Sequence, residues 1–513
     1  MNRESKPGGA SQNTWTTLST AQRRAIGLTV VLIAVLGVVH LPPGVCFDDA
    51  GDLQVASATW GIAHAPGYMG YVTIAWLASR ILFFVEPAYL VSLLCLACMV
   101  VAIGLALVLL MRLGLHVLPA CAMGLLFVAH DSVWKNMVFP EIYAPSLVLL
   151  VATCYLLLKY GRLHRAGDLY LAAALFGFLV INRPPAVFVG PGLFIALVGI
   201  EKRFHTSLRV FLRRVVAVTA CGAGSVVLVV AILWMRDNPT TAYHTVERQR
   251  VLWGGMPEFG SDLTTKRARI EWTIGGGQFA HLMGASFNQS KAKLRWIRRQ
   301  LFVYQTPRLM CLLAVLTVGF VMLSRHGVEW VLIPFSVIVG NVVFLCQYRV
   351  YGQAGNLLPT LFAVLPVVGV VVAGSFPHEL TRPRQIVARI IFAGTCVWTI
   401  YYATVRPNYA RGADATQFLS DAGVITLPTD SVICCGFGEV CPLWYAALVS
   451  CDRPDIEVIS GPLTMWARLA EGHLDRPLFY ADSRAEPPPG WKLTPWGIWS
   501  RLDRIEPAGA TSE

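Results

Sequence analysis

Three carboxylates and one histidine stand close together near the start of the chain, beside a long apolar run. Asp48, Asp49 and Asp52 follow the run Ile26–Leu41, and His64 comes shortly after them. A carboxylate at a membrane surface loses much of its hydration, so acidic side chains there tend to line an aqueous cavity, bind an ion or move a proton. We predict that this segment forms the active site and that at least one of the three aspartates is catalytic.

The same residues also have structural interpretations. The aspartates would suit the N-terminus of a helix beginning near Leu53, where Asp is favoured. His64 precedes a turn-forming stretch, Pro66-Gly67-Tyr68, that would hold its imidazole toward a cavity and against a phosphate or an acceptor. His64 and Tyr68 are therefore predicted to bind the donor or the acceptor. The alternative for His64 is an ordinary interfacial histidine.

Other charged residues are further candidates. Glu141 is either a second catalytic acid or a partner of a helix dipole. Arg183 and Arg349 each border a predicted external helix end, where a guanidinium can hold a phosphate with two hydrogen bonds. Snorkelling toward the membrane surface is the alternative for both arginines. Lys291 and Arg295 lie on a predicted basic amphipathic helix that would either bind a lipid phosphate or anchor the chain to the membrane.

Composition identifies the class of protein. The chain has 513 residues, of which 55% are hydrophobic and only 14% charged, so it is predicted to be an integral membrane protein. Its net charge of +12 comes from short basic clusters between apolar runs. Such clusters are typical of topology signals and contacts with membrane lipids, and no nucleic-acid partner is expected.

Hydropathy predicts about eleven transmembrane helices. They are Ile26–Leu41, Ala88–Met111, Leu115–Ala129, Ile142–Leu158, Leu169–Ile181, Pro185–Ile200, Val215–Met235, Leu309–Leu323, Trp330–Cys346, Leu357–Ala373 and Ile390–Val405. Gly67–Phe84 is equally apolar, but counting it as a span would place the basic cluster at residues 202–214 outside the cell. We therefore predict that Gly67–Phe84 is an interfacial or re-entrant helix.

The distribution of basic residues predicts the orientation. With a cytoplasmic N-terminus, the cytoplasmic segments hold seventeen Lys and Arg residues, whereas the short external segments hold four, Arg80, Lys135, Arg183 and Arg349. This asymmetry follows the positive-inside rule. The polar segments of interest then all face outward, where one external cavity can gather them. The predicted location is the bacterial inner (plasma) membrane, with the C-terminal part periplasmic.

The predicted domain organisation has three parts. A cytoplasmic tail, 1–25, precedes a transmembrane domain, 26–405, with external loops 42–87 and 236–308. Residues 406–513 form a small external α/β domain. Its predicted strands are Ser431–Gly436, Ile456–Ser460 and Leu478–Ala481, and its predicted helices are Pro442–Val449 and Thr464–Ala470.

The cysteines and glycines contribute little further chemistry. Eight of the thirteen cysteines lie in apolar runs, where Cys behaves as a small hydrophobic residue. The tail cysteines Cys434, Cys435, Cys441 and Cys451 match no standard zinc spacing, so we expect a disulfide or free thiols. Gly275–Gly277 lacks the strand-to-helix context of a nucleotide-binding loop and is predicted to be a flexible loop.

Several motifs in this order resemble a known family. Phe47-Asp-Asp-Ala-Gly-Asp52 and Gly61-Ile-Ala-His-Ala-Pro-Gly-Tyr68 resemble the Trp-Asp-Ser-Gly-Glu and Gly-Ile-Pro-His-Pro-Pro-Gly-Tyr motifs of bacterial multi-pass proteins related to eukaryotic protein O-mannosyltransferases. Those proteins belong to the GT-C glycosyltransferase superfamily. The resemblance continues with Trp134, Glu141-Ile-Tyr143, Asn238-Pro-Thr240, Trp272–Phe279 and Pro442–Tyr445. It therefore extends over most of the chain.

The resemblance implies a GT-C-like transmembrane domain, a polyprenyl-phosphate sugar donor and transfer with inversion. Asp49 aligns with the acidic loop residue of the family and would be the base. Ala50 replaces the family's Ser, Asp48 its aromatic residue and Asp52 its Glu, so Asp48 and Asp52 stay candidates beside Asp49. No cofactor is expected because no convincing ligand set occurs, although a divalent metal stays an open alternative since GT-C relatives differ in metal use.

The predicted function is thus a glycosyltransferase that moves a sugar, with mannose the candidate, to an external hydroxyl on protein, glycan or lipid. The alternative is a transporter or flippase of a lipid-linked intermediate. A transporter is expected to carry ionisable residues near the bilayer midplane and to have matched halves. Here the acids collect at one face and no two halves correspond, which favours an enzyme. A scaffold or receptor without activity is a third possibility.

Overall fold

A computed structural model describes residues 18–245, 263–280, 282–301, 306–349, 354–405 and 414–505. The first part of the chain forms ten helices: α1 Thr20–Val38, α2 Asp48–Thr59, α3 Met69–Ile81, α4 Pro87–Arg112, α5 Val117–Val128, α6 Asp131–Val138, α7 Tyr143–Leu163, α8 Ala166–Asn182, α9 Gly190–Arg203 and α10 Leu208–Arg236. Seven more follow before the tail: α11 Lys266–Ile274, α12 Gly277–Ala280, α13 Phe287–Leu301, α14 Thr306–Ser324, α15 Val328–Gln347, α16 Leu358–Ser375 and α17 Arg382–Val405.

Each of the eleven predicted spans coincides with a helix. Within the described residues, eight helices are long and apolar enough to cross a membrane, and α5 and α6, bent by 75° at their junction, would make a ninth. Of the remaining two predicted spans, one coincides with the shorter apolar helix Ala166–Asn182 and the other with α14, Thr306–Ser324. The protein is therefore a multi-pass membrane protein, and eight or nine helices among its described residues are long and apolar enough to span.

Helix α3 occupies the region predicted to be interfacial. Its 13 residues give a helix about 20 Å long, which is too short for a hydrocarbon core of about 30 Å. Tyr71 and Val72 on one face are buried in the helix bundle, whereas Ile74 and Leu77 on the other face are exposed. The exposed apolar face of this short helix suits contact with lipid at the membrane surface.

The transmembrane helices pack closely, with α8 between α7 and α10. At the α8–α10 contact, a Cβ atom on Gly177 would come within 2.2 Å of the Gly222 carbonyl oxygen, so glycine permits the backbones to approach. At one end of the bundle, the Arg214 guanidinium pairs with Glu201 at 2.7 Å and also contacts Tyr160. The helix ends predicted to be external lie at the opposite end, around a cavity.

The tail forms one five-stranded sheet with β1 Val432–Cys435, β2 Glu457–Ser460, β3 Leu478–Tyr480, β4 Trp491–Trp496 and β5 Trp499–Arg504, in the order β2-β1-β3-β5-β4. Strands β2, β1 and β3 are parallel, and β5 and β4 are added antiparallel. The three predicted strands are present, whereas the β4–β5 hairpin was not predicted. The helices of this part are α18 Thr416–Ala422, α19 Phe437–Tyr445 and α20 Trp466–Glu471.

The tail cysteines form no disulfide. Cys434, Cys435 and Cys441 are buried free thiols, and Cys451 is a half-buried one. The disulfide alternative is therefore wrong for these four residues. The three buried thiols pack as small hydrophobic residues within the tail.

Helix α19 attaches the tail to helix α2. It packs against α2, where a Cβ atom on Gly51 would lie 2.8 Å from the Cys441 Cβ atom and 2.1 Å from the Cys46 carbonyl oxygen. At the end of α19, the Tyr445 hydroxyl donates to Glu86 and accepts from the Ala88 amide at 3.2 Å. The tail thus supports the helix that carries the three aspartates.

Candidate active site

The three aspartates all lie on helix α2 but have different surroundings. It begins at Asp48, earlier than the start predicted near Leu53, and its N-cap residue Phe47 makes no side-chain capping bond. Asp48 and Asp49 lie in the first turn, where their charges suit the helix dipole. Asp52 lies one turn further along the helix, where α2 is buried, so its carboxylate has different surroundings from those of Asp48 and Asp49.

The surroundings distinguish the three acids. Asp48 is exposed and lies near Gly438 of α19, outside the main cavity. Asp49 lines the cavity with its side chain 34% exposed. Asp52 is fully buried and does not line it. Of the three predicted catalytic aspartates, only Asp49 lines the cavity, where it can contact a substrate.

Asp52 and His64 form a buried pair. The His64 Nδ1 atom lies 2.5 Å from Asp52 Oδ2, and the His64 backbone N–H donates to the same oxygen at 2.8 Å. The other oxygen of Asp52 accepts from the Tyr243 hydroxyl and from the Thr245 hydroxyl, the latter at 2.7 Å. On its cavity side, His64 Nε2 lies 3.9 Å from Asp49 Oδ1 and 3.5 Å from the Tyr68 hydroxyl.

These contacts shift the ionisation of the pair. Burial raises the pKa of Asp52, but the charge of His64 and the hydrogen bonds to the carboxylate outweigh it, so this pKa lies below its usual value. Burial lowers the pKa of His64, but the carboxylates of Asp49 and Asp52 more than offset this and raise it to about 9. At neutral pH His64 is therefore an imidazolium between two carboxylates.

Glu141 lies in the short segment between α6 and α7 and lines the same cavity. Burial, together with the nearby Asp49 carboxylate, raises the pKa of Glu141 to about 8. Glu141 is therefore mostly protonated at neutral pH and can donate a hydrogen bond. This geometry favours an acid role over the helix-dipole alternative.

The cavity that gathers these side chains measures about 320 Å³, within the range of small-molecule sites. It is lined by Asp49, His64, Pro66, Tyr68, Glu141, Ile142, Tyr143, Arg183, Pro184, Pro185, Val187, Phe188, Gly275, Gly276, Phe279, Ala280, Met283, Phe344, Tyr348 and Asn356. Five predicted site residues, from four separate parts of the chain, thus meet in one cavity.

Arg183 follows the C-terminus of α8 and is only 8% exposed. Its Nη2 atom donates to Asn356 Oδ1 at 2.7 Å, and its guanidinium lies 5.3 Å from the centre of the Tyr143 ring. No carboxylate of the described residues forms an ion pair with Arg183. A buried guanidinium without a carboxylate partner favours an anionic ligand, because an unpaired buried charge is costly.

The remaining predicted basic residues lie outside this cavity. Lys291 and Arg295 are exposed on α13. Arg349 is also exposed, and its Nη2 atom donates to the Gly284 carbonyl at 2.9 Å beside a separate small cavity. For these three residues the geometry favours membrane contacts over contact with a ligand in the main cavity.

Sequence reasoning assigned no role to several residues of the site. Tyr143 follows Glu141 in a motif, but nothing in the motif indicates that its ring lies against Arg183. Asn356 and Tyr243 are single polar residues far from the aspartates in sequence, so no local pattern marks them. Gly275 and Gly276, predicted to be a flexible loop, connect α11 to α12 and line the cavity.

Within the described ranges, no group of three or more His, Cys, Asp and Glu side chains is arranged to hold a metal ion. The polar groups of the cavity are instead two acids, an imidazolium and a guanidinium, together with hydroxyl and amide groups. This set can accept a proton, bind an anion and donate hydrogen bonds to a sugar.

The resemblance to O-mannosyltransferases is confirmed over the first part of the transmembrane region. Residues 49–206 match the family model of the protein O-mannosyl-transferase TMEM260 N-terminal domain. This segment includes Asp49, Asp52, His64, Glu141 and Arg183. No curated protein matches the sequence significantly.

Solved structures share the fold. ArnT from Cupriavidus metallidurans in the apo state aligns with a TM-score of 0.55 and 12% identity, covering 94% of this chain and 98% of that one. ArnT bound to undecaprenyl phosphate gives a TM-score of 0.50 and 11% identity, covering 95% and 99%. The oligosaccharyltransferase AglB from Archaeoglobus fulgidus, in complex with an inhibitory peptide and a dolichol-phosphate, gives 0.50 and 11%, covering 90% and 69%. The chain therefore has an ArnT-like GT-C fold with a small C-terminal sheet.

Proposed function

We propose that the protein is a GT-C glycosyltransferase that moves a sugar from a polyprenyl-phosphate donor to a hydroxyl group outside the cell. The observation that carries this proposal is one cavity that both the Asp49 carboxylate and the Arg183 guanidinium line, with no described carboxylate paired to that guanidinium. A base and a phosphate-binding cation in one cavity are what sugar transfer from a lipid phosphate requires.

Arg183 is the proposed phosphate ligand. Asn356 and the Tyr143 ring hold its side chain in place, which leaves the remaining guanidinium N–H groups for phosphate oxygens. ArnT bound to undecaprenyl phosphate and AglB bound to a dolichol-phosphate share the fold, which supports a lipid phosphate as the ligand here. When the C1–O bond to phosphate breaks, the guanidinium stabilises the charge on the leaving group.

The prenyl chain is proposed to leave the cavity over an apolar wall. Val187 and Phe188 line the cavity and are 53% and 41% exposed, and Met283, another lining residue, is 36% exposed. Because these side chains both line the cavity and are exposed, they are the proposed exit from the cavity to the lipid. A lipid carrier can therefore keep its chain in the membrane while its headgroup lies next to Arg183.

In the proposed reaction, Asp49 accepts the proton of the acceptor hydroxyl as that oxygen attacks C1 of the sugar. The bond between C1 and the phosphate oxygen breaks, and the lipid phosphate leaves with the electron pair. Attack opposite the leaving group inverts the configuration at C1. Glu141, protonated at neutral pH, donates a hydrogen bond to the sugar.

The donor sugar proposed is mannose, because residues 49–206 match an O-mannosyl-transferase family model. The acceptor is a hydroxyl of an external protein, glycan or lipid. The proposed orientation keeps the N-terminus in the cytoplasm and the cavity and C-terminal sheet on the outside of a bacterial plasma membrane. The excess of basic residues in the segments opposite the cavity supports this orientation.

The function is tested with the full chain in lipid nanodiscs and radiolabelled polyprenyl-phosphate mannose, with envelope fractions as a source of acceptor. We expect label to move to an acceptor in proportion to enzyme. A parallel set of polyprenyl-phosphate pentoses and hexoses identifies the sugar. Failure to transfer label from any of these donors, or movement of the lipid across liposome membranes without transfer, would contradict the proposal.

We further propose that transfer needs no divalent metal, because Arg183 can stabilise the phosphate and Asp49 can accept the proton without one. The expected result is that dialysis against EDTA changes the transfer rate less than about twofold. Adding Mg²⁺, Mn²⁺ or Zn²⁺ back to the dialysed protein provides the control. Loss of activity with EDTA and recovery with one of these ions would show that a metal takes part.

A further inference from the structure

Asp52 is excluded from contact with substrate by its own hydrogen bonds. Both of its oxygens accept two bonds from protein groups, and its side chain is 2% exposed. It therefore has no oxygen directed into the cavity to receive a proton from an acceptor. Its carboxylate must act through His64, which is the one group of this cluster that also reaches the cavity.

Two of the four bonds to Asp52 come from the segment that follows α10, nearly two hundred residues later in the chain. This segment docks against residue 62 by two backbone bonds, from Ile62 N–H to the Tyr243 carbonyl at 2.9 Å and from Thr245 N–H to the Ile62 carbonyl at 3.0 Å. The Tyr243 ring also contacts Trp444 of α19, with centroids 5.3 Å apart. The docked segment thus presents its two hydroxyls to Asp52.

Contacts with three neighbouring side chains hold the His64 imidazole in place. Nδ1 is fixed by Asp52, and the rings of Tyr68 and Phe279 stand edge-on to the imidazole with centroids 5.2 and 6.2 Å away. Nε2 then points toward Asp49 at 3.9 Å. Because Asp52 fixes Nδ1, the imidazole cannot rotate to bring that atom to Asp49.

We infer that Asp52, Tyr243 and Thr245 are positioning residues that hold the His64 imidazolium beside Asp49, and that this cation orients the Asp49 carboxylate for its role as base. The inference rests on the proposed function. No proton moves along the cluster: Asp49 takes the acceptor proton, while His64 keeps both of its own. Asp52 and His64 thus hold a positive charge in a fixed position beside Asp49, the proposed base.

Four titratable groups lie close enough to His64 to affect its ionisation, namely Asp49, Asp52, Glu141 and Tyr68. Asp52 is the carboxylate in direct contact, so replacing it by Asn removes a negative charge and lowers the pKa of His64. His64 then loses its proton at lower pH. Asp49 in turn loses the positive charge that lies beside it.

A second buried carboxylate provides a matched control. Asp237, at the end of α10, is 3% exposed, lies 3.1 Å from His244 Nε2 and accepts from Arg269 Nε at 3.1 Å. Like Asp52, it is buried, pairs with a histidine and helps hold the segment after α10. It does not line the cavity.

The experiment follows the His64 imidazole directly, by solid-state NMR of full-length ¹⁵N-histidine-labelled protein in lipid bilayers. The His64 signal is assigned as the one missing in His64→Gln. We expect it to stay protonated up to about pH 9 in the wild type and to titrate at least about one pH unit lower in Asp52→Asn. Asp237→Asn is expected to leave the His64 titration unchanged.

Transfer assays complete the test. Asp52→Asn is expected to lower kcat roughly 10- to 100-fold with little change in the KM for the donor, and His64→Gln to do the same. An unshifted His64 titration in Asp52→Asn, an equal shift in Asp237→Asn, or full activity of His64→Gln would overturn the inference. If Asp52→Asn does not fold, Thr245→Val replaces it in the test. A reduced kcat of Thr245→Val supports the inference. Full kcat in both Thr245→Val and His64→Gln contradicts the inference. A wild-type protein that transfers no sugar contradicts the proposed function instead.

Discussion

Asp49→Asn is expected to lower kcat for sugar transfer roughly 10²- to 10⁴-fold, the contribution of a general base. The amide matches the carboxylate in size but cannot take the acceptor proton at neutral pH. Because the Asp49 side chain faces the cavity and is 34% exposed, the exchange removes no buried packing. The measurement is transfer from the labelled donor, with thermal unfolding in detergent to confirm the same folded state.

The control for this prediction is Asp48→Asn. Asp48 has the same side chain one residue earlier in the same helix turn, but it is exposed and lies outside the cavity. We expect its replacement to change kcat only a few-fold, through the loss of one nearby negative charge. Equal losses in the two variants, or full activity of Asp49→Asn, would show that Asp49 is not the base.

Arg183→Gln is expected to lower kcat/KM for the donor roughly 10²- to 10³-fold, since it removes a buried donor to the leaving phosphate. The folded protein should tolerate the exchange, because the glutamine amide can still donate to Asn356 and an uncompensated buried charge is removed. Arg183→Lys keeps the charge but loses the planar fork, so an intermediate loss is expected. Both effects are measured as kcat and KM over a series of donor concentrations.

Arg349→Gln serves as the matched arginine variant. Arg349 also follows a helix predicted to end on the outside, but it is exposed and lies outside the main cavity. We expect kcat/KM for the donor to stay within a few-fold of the wild-type value. If Arg349→Gln were the more damaging exchange, the phosphate would have to lie beside the smaller cavity near Gly284 rather than beside Arg183.

Much of the fold follows from local sequence signals. The apolar runs predicted as spans all form helices, because a membrane-length segment must satisfy its backbone hydrogen bonds within itself. The three parallel strands of the tail were predictable because they are short, largely apolar runs. The hairpin Trp491–Arg504 was missed although its two strands are joined tightly at Gly497-Ile498, a glycine turn that could have indicated it.

The sequence indicated which residues form the candidate site but not how their side chains are arranged. Charged residues in a membrane protein are costly, so Asp49, His64, Glu141 and Arg183 were noticeable against an apolar sequence. Their separate roles depend on orientation and burial, which a linear pattern does not contain. Asp48 and Asp52 have the same side chain as Asp49, yet one lies at the surface and the other is enclosed by four hydrogen bonds.

The sequence by itself determined that the chain enters a membrane, which apolar runs form helices, and which short segment carries the unusual charges. These properties depend on neighbouring residues and on the cost of placing polar groups in lipid. The tertiary structure alone decided that Asn356 reaches Arg183 and that Tyr243 and Thr245 reach Asp52. Such contacts join residues far apart in the chain, so they arise only when helix packing brings those segments to one end of the bundle.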